Sequence, residues 1–177
     1  MVFMADHAFS ERDAGMTKCR LDAEMDEDMQ AIPACATLTG RRDFGWTAGV
    51  ATCVAMSIQQ RGKNGVYTAI IHADSEITDN EQYMRACVDN LNASCPDARA
   101  AKILNVIGGQ VDKQTAAEDA RDYYTLADKL GRYADSKQLL MNNFQLPACG
   151  AGIPGACDAA YLDFYLRMDG QVVVKYR

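Results

Sequence analysis

The stretch Val54-Ala-Met-Ser-Ile-Gln-Gln-Arg-Gly-Lys-Asn-Gly-Val-Tyr-Thr-Ala-Ile-Ile-His72 decides the fold. Two runs rich in apolar and β-branched residues, Val54 to Gln59 and Val66 to His72, flank the glycine-bearing loop Arg61-Gly-Lys-Asn-Gly65. That arrangement predicts a β-hairpin. Facing residue numbers in an antiparallel hairpin add to a constant, and a four-residue loop at 61–64 sets it at 125. Val54 then faces Ile71, Met56 faces Ala69 and Ile58 faces Tyr67, which makes one continuous apolar face. The other face sets Ser57 against Thr68 and Cys53 against His72. Directly opposed side chains hold their Cβ atoms about 4.5–5.5 Å apart, within reach of a thiol–imidazole hydrogen bond. A slip of one residue would send Cys53 and His72 to opposite faces. A turn at Asn64-Gly65 would separate them by about four residues, roughly 13 Å. The first register pairs apolar with apolar best.

Outward from the hairpin the chain alternates between helix-like and strand-like pieces. Thr78-Asp-Asn-Glu81 has the spacing of a capping box, in which each side chain satisfies an orphan backbone donor. Met84, Val88, Leu91 and Cys95 follow on one helical face, and Pro96 ends the helix. Lys102-Ile-Leu-Asn-Val-Ile-Gly-Gly109 reads as a strand closed by a glycine pair. A second capping box, Thr115-Ala-Ala-Glu118, opens another helix, and a further helical piece is expected over Ser136–Asn143. Leu146 to Ala156 is a loop rich in Gly and Pro. Tyr161-Leu-Asp-Phe-Tyr-Leu-Arg, the turn Asp169-Gly170 and Gln171-Val-Val-Val-Lys-Tyr form a terminal hairpin. Strand pairs separated by helices define a mixed α/β (α+β) domain. Residues 1–34 are the least patterned, with the acidic run Asp22-Ala-Glu-Met-Asp-Glu-Asp28. They are expected to form a partly flexible N-terminal segment ahead of a single domain over 35–177.

Composition narrows the functional classes. The 177 residues carry 18 Lys+Arg against 24 Asp+Glu, a net charge of −6, which argues against a nucleic-acid partner, since such binding rests on phosphate neutralisation. The longest apolar stretch, Val50–Ile58, is far short of the ~20 residues of a membrane span and contains Thr52 and Ser57. No basic, apolar signal peptide is visible at the start. Seven cysteines (19, 35, 53, 87, 95, 149, 157) occur without a Cys-x-x-Cys pair and beside only two histidines, so neither a metal site nor a cofactor is expected. In a reducing compartment most would be free, buried thiols; three disulfides and one free thiol would also total seven.

The shortage of histidine focuses the chemistry. General base work near neutral pH most often falls to His, and His7 sits in the unpatterned N-terminal stretch, leaving His72. The nucleophile that the hairpin brings to it is Cys53. A Cys opening an apolar strand is most often a small buried residue, and a His at a strand end is most often a surface or hydrogen-bonded one. The neighbourhood favours chemistry: Trp46-Thr-Ala-Gly-Val-Ala-Thr-Cys53 reads as a small-residue loop whose backbone N–H groups can converge on an oxyanion.

Thr47-Ala-Gly-Val-Ala-Thr-Cys53-Val-Ala resembles the Thr-Leu-Gly-Leu-Gly-Ser-Cys-Val signature of the bacterial chemoreceptor glutamine deamidase family. Ala100 to Gly109 and the terminal hairpin are weakly similar to that family's corresponding strands. The same Thr–Cys–His layout occurs in toxin deamidases similar to Burkholderia lethal factor and cytotoxic necrotizing factor. This chain departs from the pattern in having Ala51-Thr52 in place of Gly-Ser, and only scattered glycines (Gly150, Gly152, Gly155) where the family has a Gly-Gly-x-x-Gly-Arg loop. The resemblance implies largely antiparallel β-sheets in a layered sandwich with helices packed on one side. It implies a hydrolase that converts a protein glutamine to glutamate through a Cys53 thioester, with His72 as base and Thr47 as its orienting group. Thr52, Gly108 and Gly109 would line the substrate, and no cofactor is implied. The expected partner is a protein presenting a glutamine, met by a monomer in the bacterial cytoplasm or delivered into a target cell. Two other readings stay open: an inactive protein-binding module on the same fold, and another thiol amidase or protease.

Overall fold

A computed structural model of the chain describes residues 2–3, 33–40, 43–50, 54–73, 81–108, 125, 128–144, 162–168, 170 and 172–176. In chain order the elements are β1 (Val2–Phe3), β2 (Ala34–Leu38), β3 (Phe44–Val50), β4 (Val54–Gly62), β5 (Gly65–Ala73), helix α1 (Glu81–Ser94) and β6 (Lys102–Gly108). Helix α2 (128–136), β7 (Leu140–Phe144), β8 (Leu162–Arg167) and β9 (Val172–Tyr176) complete the order. The strands make two sheets, one ordered β1-β9-β8-β3 and one ordered β2-β5-β4-β6-β7. All pairings are antiparallel except β1 with β9 and β6 with β7. The fold is α+β, as its alternating strand and helix patterns indicate.

Strand β4 sits at the centre of the larger sheet, and Val54 to Gln60 are all buried. Its two faces have different neighbours. Val54, Met56 and Ile58 join Ala69 and Ile71 of β5 and Leu104 and Val106 of β6 in the main core, under Met84, Cys87, Val88 and Leu91 of α1 and Leu130 and Ala134 of α2. Each fully buried aliphatic side chain there contributes about 2 kcal/mol by leaving water. The opposite face meets the smaller sheet. A Cβ on Gly45 of β3 would lie 2.8 Å from Ile70 Cδ1 and 3.1 Å from Thr68 Cγ2, so the two sheets approach closely because that position has no side chain. Gln59 Nε2 donates to the Arg167 carbonyl at 3.0 Å, tying β4 to the end of β8. Helices, five strands and four strands thus stack as layers.

The hairpin register departs from the expected one. Val54 pairs with Ala73, Met56 with Ile71, Ile58 with Ala69 and Gly62 with Gly65, two residues from the predicted pairing. His72 therefore faces Ala55, and the expected Cys53–His72 opposition is overturned. A two-residue Lys63-Asn64 turn replaces the four-residue loop, and it is the commonest hairpin connection. Gly65 permits it: its φ of +153° is rarely adopted by residues with a side chain, and a Cβ there would lie 2.1 Å from the Leu38 carbonyl oxygen of β2. The tighter turn also sets Gln59 opposite Thr68, and these two buried polar side chains bond at 3.4 Å. Because the shift is even, the division of residues between the two faces is the predicted one.

Two other expectations change. Ser136–Asn143 is not a helix: α2 ends at 136, and 140–144 is β7, parallel to β6. The stop is a Schellman motif, with Gln138 N donating to Asp135 O and Leu139 N to Ala134 O, both at 3.0 Å. Gln138 takes the left-handed position usually given to glycine, at φ 60°. Leu139, 3% exposed, packs into the core beside Ala134 and holds the reversal. The expected small-residue loop is in part a strand, since Trp46–Val50 belongs to β3 and pairs with β8. Helix α1 lies where its apolar periodicity put it, its C-terminal carbonyls capped by Lys102 Nζ from β6, 3.2 Å from Asn92 O and 2.7 Å from Asn92 Oδ1. The Thr115–Glu118 helix start and the 146–156 loop lie outside the described residues, as does most of the 1–34 segment.

Candidate functional site

One end of the larger sheet holds two of the sequence-selected positions, His72 and Gly108. Strand β4 begins at Val54, which lies between Ala73 at the end of β5 and Gly108 at the end of β6. His72 precedes Ala73, is half-buried, and faces Ala55 across the hairpin. That cross-strand neighbour presents only a methyl group beside the imidazole. His72 alternates with Thr68 and Ile70, the residues that meet β3, so it lies on the face toward the smaller sheet. Gly108 removes any side chain from the β6 position flanking Val54.

Thr47 is in that smaller sheet, on β3 opposite Phe164. The β3–β8 pairing then breaks, with one extra residue on β3 before Val50 pairs with Leu162. Bulges of this kind bend a strand and re-aim the side chains beyond the bend, and they are frequent beside active sites. Thr52, Cys53 and Gly109 lie outside the described residues.

The face between the sheets also carries Asn105, a residue with no role in the expected site. It stands opposite Ser57 in the β4–β6 ladder, is fully buried, and donates from Nδ2 to Ser57 Oγ at 3.2 Å. Among the described residues, its Oδ1 has no hydrogen-bond partner. The signal was a lone amide within the apolar run Lys102-Ile-Leu-Asn-Val-Ile. Beside it Ser57, Gln59 and Thr68 make a buried polar strip in an inter-sheet layer that also buries Ala55 and Ile70.

Among the described thiols, burial raises Cys87 to about 11 and moves Cys95 upward as well, against the pull of the Lys102 ammonium. A thiol held protonated in this way is a poor nucleophile. Among the described residues, no three His, Cys, Asp or Glu side chains gather to hold a metal ion, and no helix is long and apolar enough to cross a membrane. Compared with known proteins, the chain matches no family model and no curated sequence.

Proposed function

We propose that the chain is a cysteine-dependent protein-glutamine deamidase, with Cys53 as nucleophile and His72 as its base. The observation that carries this reading is the convergence of β4, β5 and β6 at Val54, Ala73 and Gly108. Cys53 is one peptide bond from Val54, and His72 one from Ala73. The strand that follows Cys53 and the strand end that carries His72 therefore meet at this end of the sheet. The layered fold and the place of Thr47 on a strand of the facing sheet support the same reading.

The chemistry is acyl transfer. His72 takes the Cys53 proton, and the thiolate attacks the carboxamide carbon of a protein glutamine. Backbone N–H groups, that of Cys53 among them, hold the oxyanion. His72 then protonates the departing ammonia, and water hydrolyses the thioester to leave glutamate. Thr47 orients the imidazole, the third-group role of triad logic. Gly108 and Gly109 let the substrate backbone come close, with Thr52 beside the nucleophile. The substrate is a protein, either a chemoreceptor or the target of a released toxin.

The test is incubation with protein lysates and a search for the ~1 Da gain of Gln-to-Glu conversion, with Cys53→Ala as the control. Conversion that vanishes in the variant is the expected result. Unchanged binding to a captured partner by both proteins, with no conversion, would instead identify a binding module. Cleaved main-chain bonds would identify a protease.

A further inference from the structure

The β4–β5 hairpin carries His72 at one end and a group of cations at the other. At its turn Arg61, Gly62, Lys63 and Asn64 are all exposed. Strand β6 begins beside this turn, Lys102 pairing with Gln60, and the loop between α1 and β6 is clamped to it. Gln60, 2% exposed, donates from Nε2 to the Asp97 carbonyl and to the Ala100 carbonyl, the latter at 3.4 Å, and its Oε1 accepts from Asp97 N at 3.3 Å. Arg99 lies between those two anchor points and is exposed. One buried amide thus fixes where the loop stands, and the loop brings a third cation to the end of the sheet that carries Arg61 and Lys63.

These cations differ from those of the helical layer. Arg85 and Lys129 share Glu81, Arg132 pairs with Asp128 at 2.7 Å, and Lys137 pairs with Asp89 at 3.0 Å. Among the described residues, Arg61, Lys63 and Arg99 make no ion pair. The carboxylates of the loops here are taken by backbone amides instead. Asp97 Oδ1 accepts from Arg99 N at 2.8 Å, and Asp43 Oδ2, just past β2, accepts from Thr39 N at 2.8 Å and Gly40 N at 2.6 Å. A chain of net charge −6 therefore keeps three cations at one end with no carboxylate of its own against them.

We propose that this end of the larger sheet docks an acidic segment of a partner protein, with Arg61, Lys63 and Arg99 meeting its carboxylates. The charge pattern selects that partner. A membrane surface or a nucleic acid spreads negative charge over a wide area and would repel the rest of a chain of net charge −6. A short acidic segment meets the three cations alone. About eight extended residues reach roughly 26 Å, and β4 and β6, the strands that end here, are neighbours about 4.8 Å apart. The docking end is about seven strand residues, roughly 23 Å, from His72 along β5. Binding there leaves the His72 end open, and it does not depend on the deamidase reading.

The experiment measures binding of the full-length protein to a fluorescein-labelled peptide of alternating Asp and Glu, of that length, by fluorescence anisotropy. Saturable binding is expected, weakening as salt is raised and falling about tenfold in the variant Arg61→Gln/Lys63→Gln/Arg99→Gln. The variant Arg85→Gln/Lys129→Gln/Arg132→Gln removes the same charge from the helical layer and should change affinity less than about twofold. All of these positions are exposed, so both variants keep the fold, which far-UV circular dichroism checks. No binding, or an equal loss in the two variants, would overturn the proposal. Tighter binding to phosphatidylserine vesicles or to a labelled single-stranded oligonucleotide, lost in the first variant, would overturn it as well.

Discussion

Three glycines test how the hairpin register is set. Gly65 has φ +153° and a Cβ position 2.1 Å from the Leu38 carbonyl oxygen and 3.1 Å from its carbon. Gly170, in the terminal hairpin, has φ +82° and open space around its Cβ position. Gly62 lies outside the positive-φ region, and its nearest atom, the Gly65 oxygen, is at 3.6 Å, ordinary contact. Alanine at 65 therefore meets both penalties. The unfavourable backbone conformation costs about 1–3 kcal/mol, and displacing β2 backbone, which cannot rotate aside, costs about another 1–3. Gly65→Ala should thus lose about 4 kcal/mol, Gly170→Ala about 1 from conformation alone, and Gly62→Ala less than about 0.5. Urea unfolding followed by far-UV circular dichroism reads the series. With m near 2 kcal/mol/M, the Gly65→Ala midpoint should fall by about 2 M and that of Gly170→Ala by about 0.5 M. Equal effects at Gly65 and Gly62, or a larger one at Gly170, would refute the view that Gly65 sets the turn and with it the position of His72.

The caps and buried polar groups carry further expected outcomes. Gln138→Gly should stabilise by about 1 kcal/mol, because the left-handed Schellman position costs a side chain about that much; thermal melts check it. Asp43 accepts from Thr39 N at 2.8 Å and Gly40 N at 2.6 Å, and chiefly the Gly40 bond holds its carboxyl below the ordinary 3.8. A depressed folded-state value means its contribution is complete above about pH 5 and is lost as pH falls through that lowered value. Asp43→Ala should therefore cost about 1 kcal/mol at pH 7 and less at pH 2, read by urea unfolding at both pH values. Ser57→Ala removes the Ser57 bond of the buried Asn105 side chain and should cost about 1–2 kcal/mol; Ser57→Ala combined with Asn105→Leu, which removes both partners, should cost less by the same unfolding assay.

Much of the fold was legible because it is local. The Met84, Val88 and Leu91 stripe, the Lys102–Gly108 strand and the two hairpins each announce themselves within a short window of sequence. The hairpin's register does not, since what selects the two-residue turn is the approach of Leu38 from β2 to Gly65. Apolar matching alone favoured a pairing two residues away. Leu140 to Phe144 has no strong period of its own and becomes a strand by lying parallel to β6, a pairing that forms through tertiary packing. The small residues before Cys53 looked like loop, yet Trp46–Val50 is strand, and Gly45 just ahead of it has no side chain where the two sheets meet. At the candidate site, the sequence marked His72, Thr47 and Gly108, while Asn105 gains its interest only from the burial and pairing of its amide.

The most direct measurement is the alkylation rate of each thiol by iodoacetamide at pH 7, resolved by mass spectrometry, in the wild type and in His72→Ala. If the imidazole activates the sulfur, Cys53 reacts fastest of the seven cysteines and slows by about tenfold or more when His72 is removed. Uniform labelling of all seven, or a Cys53 rate indifferent to His72, would contradict a shared catalytic role for the two residues.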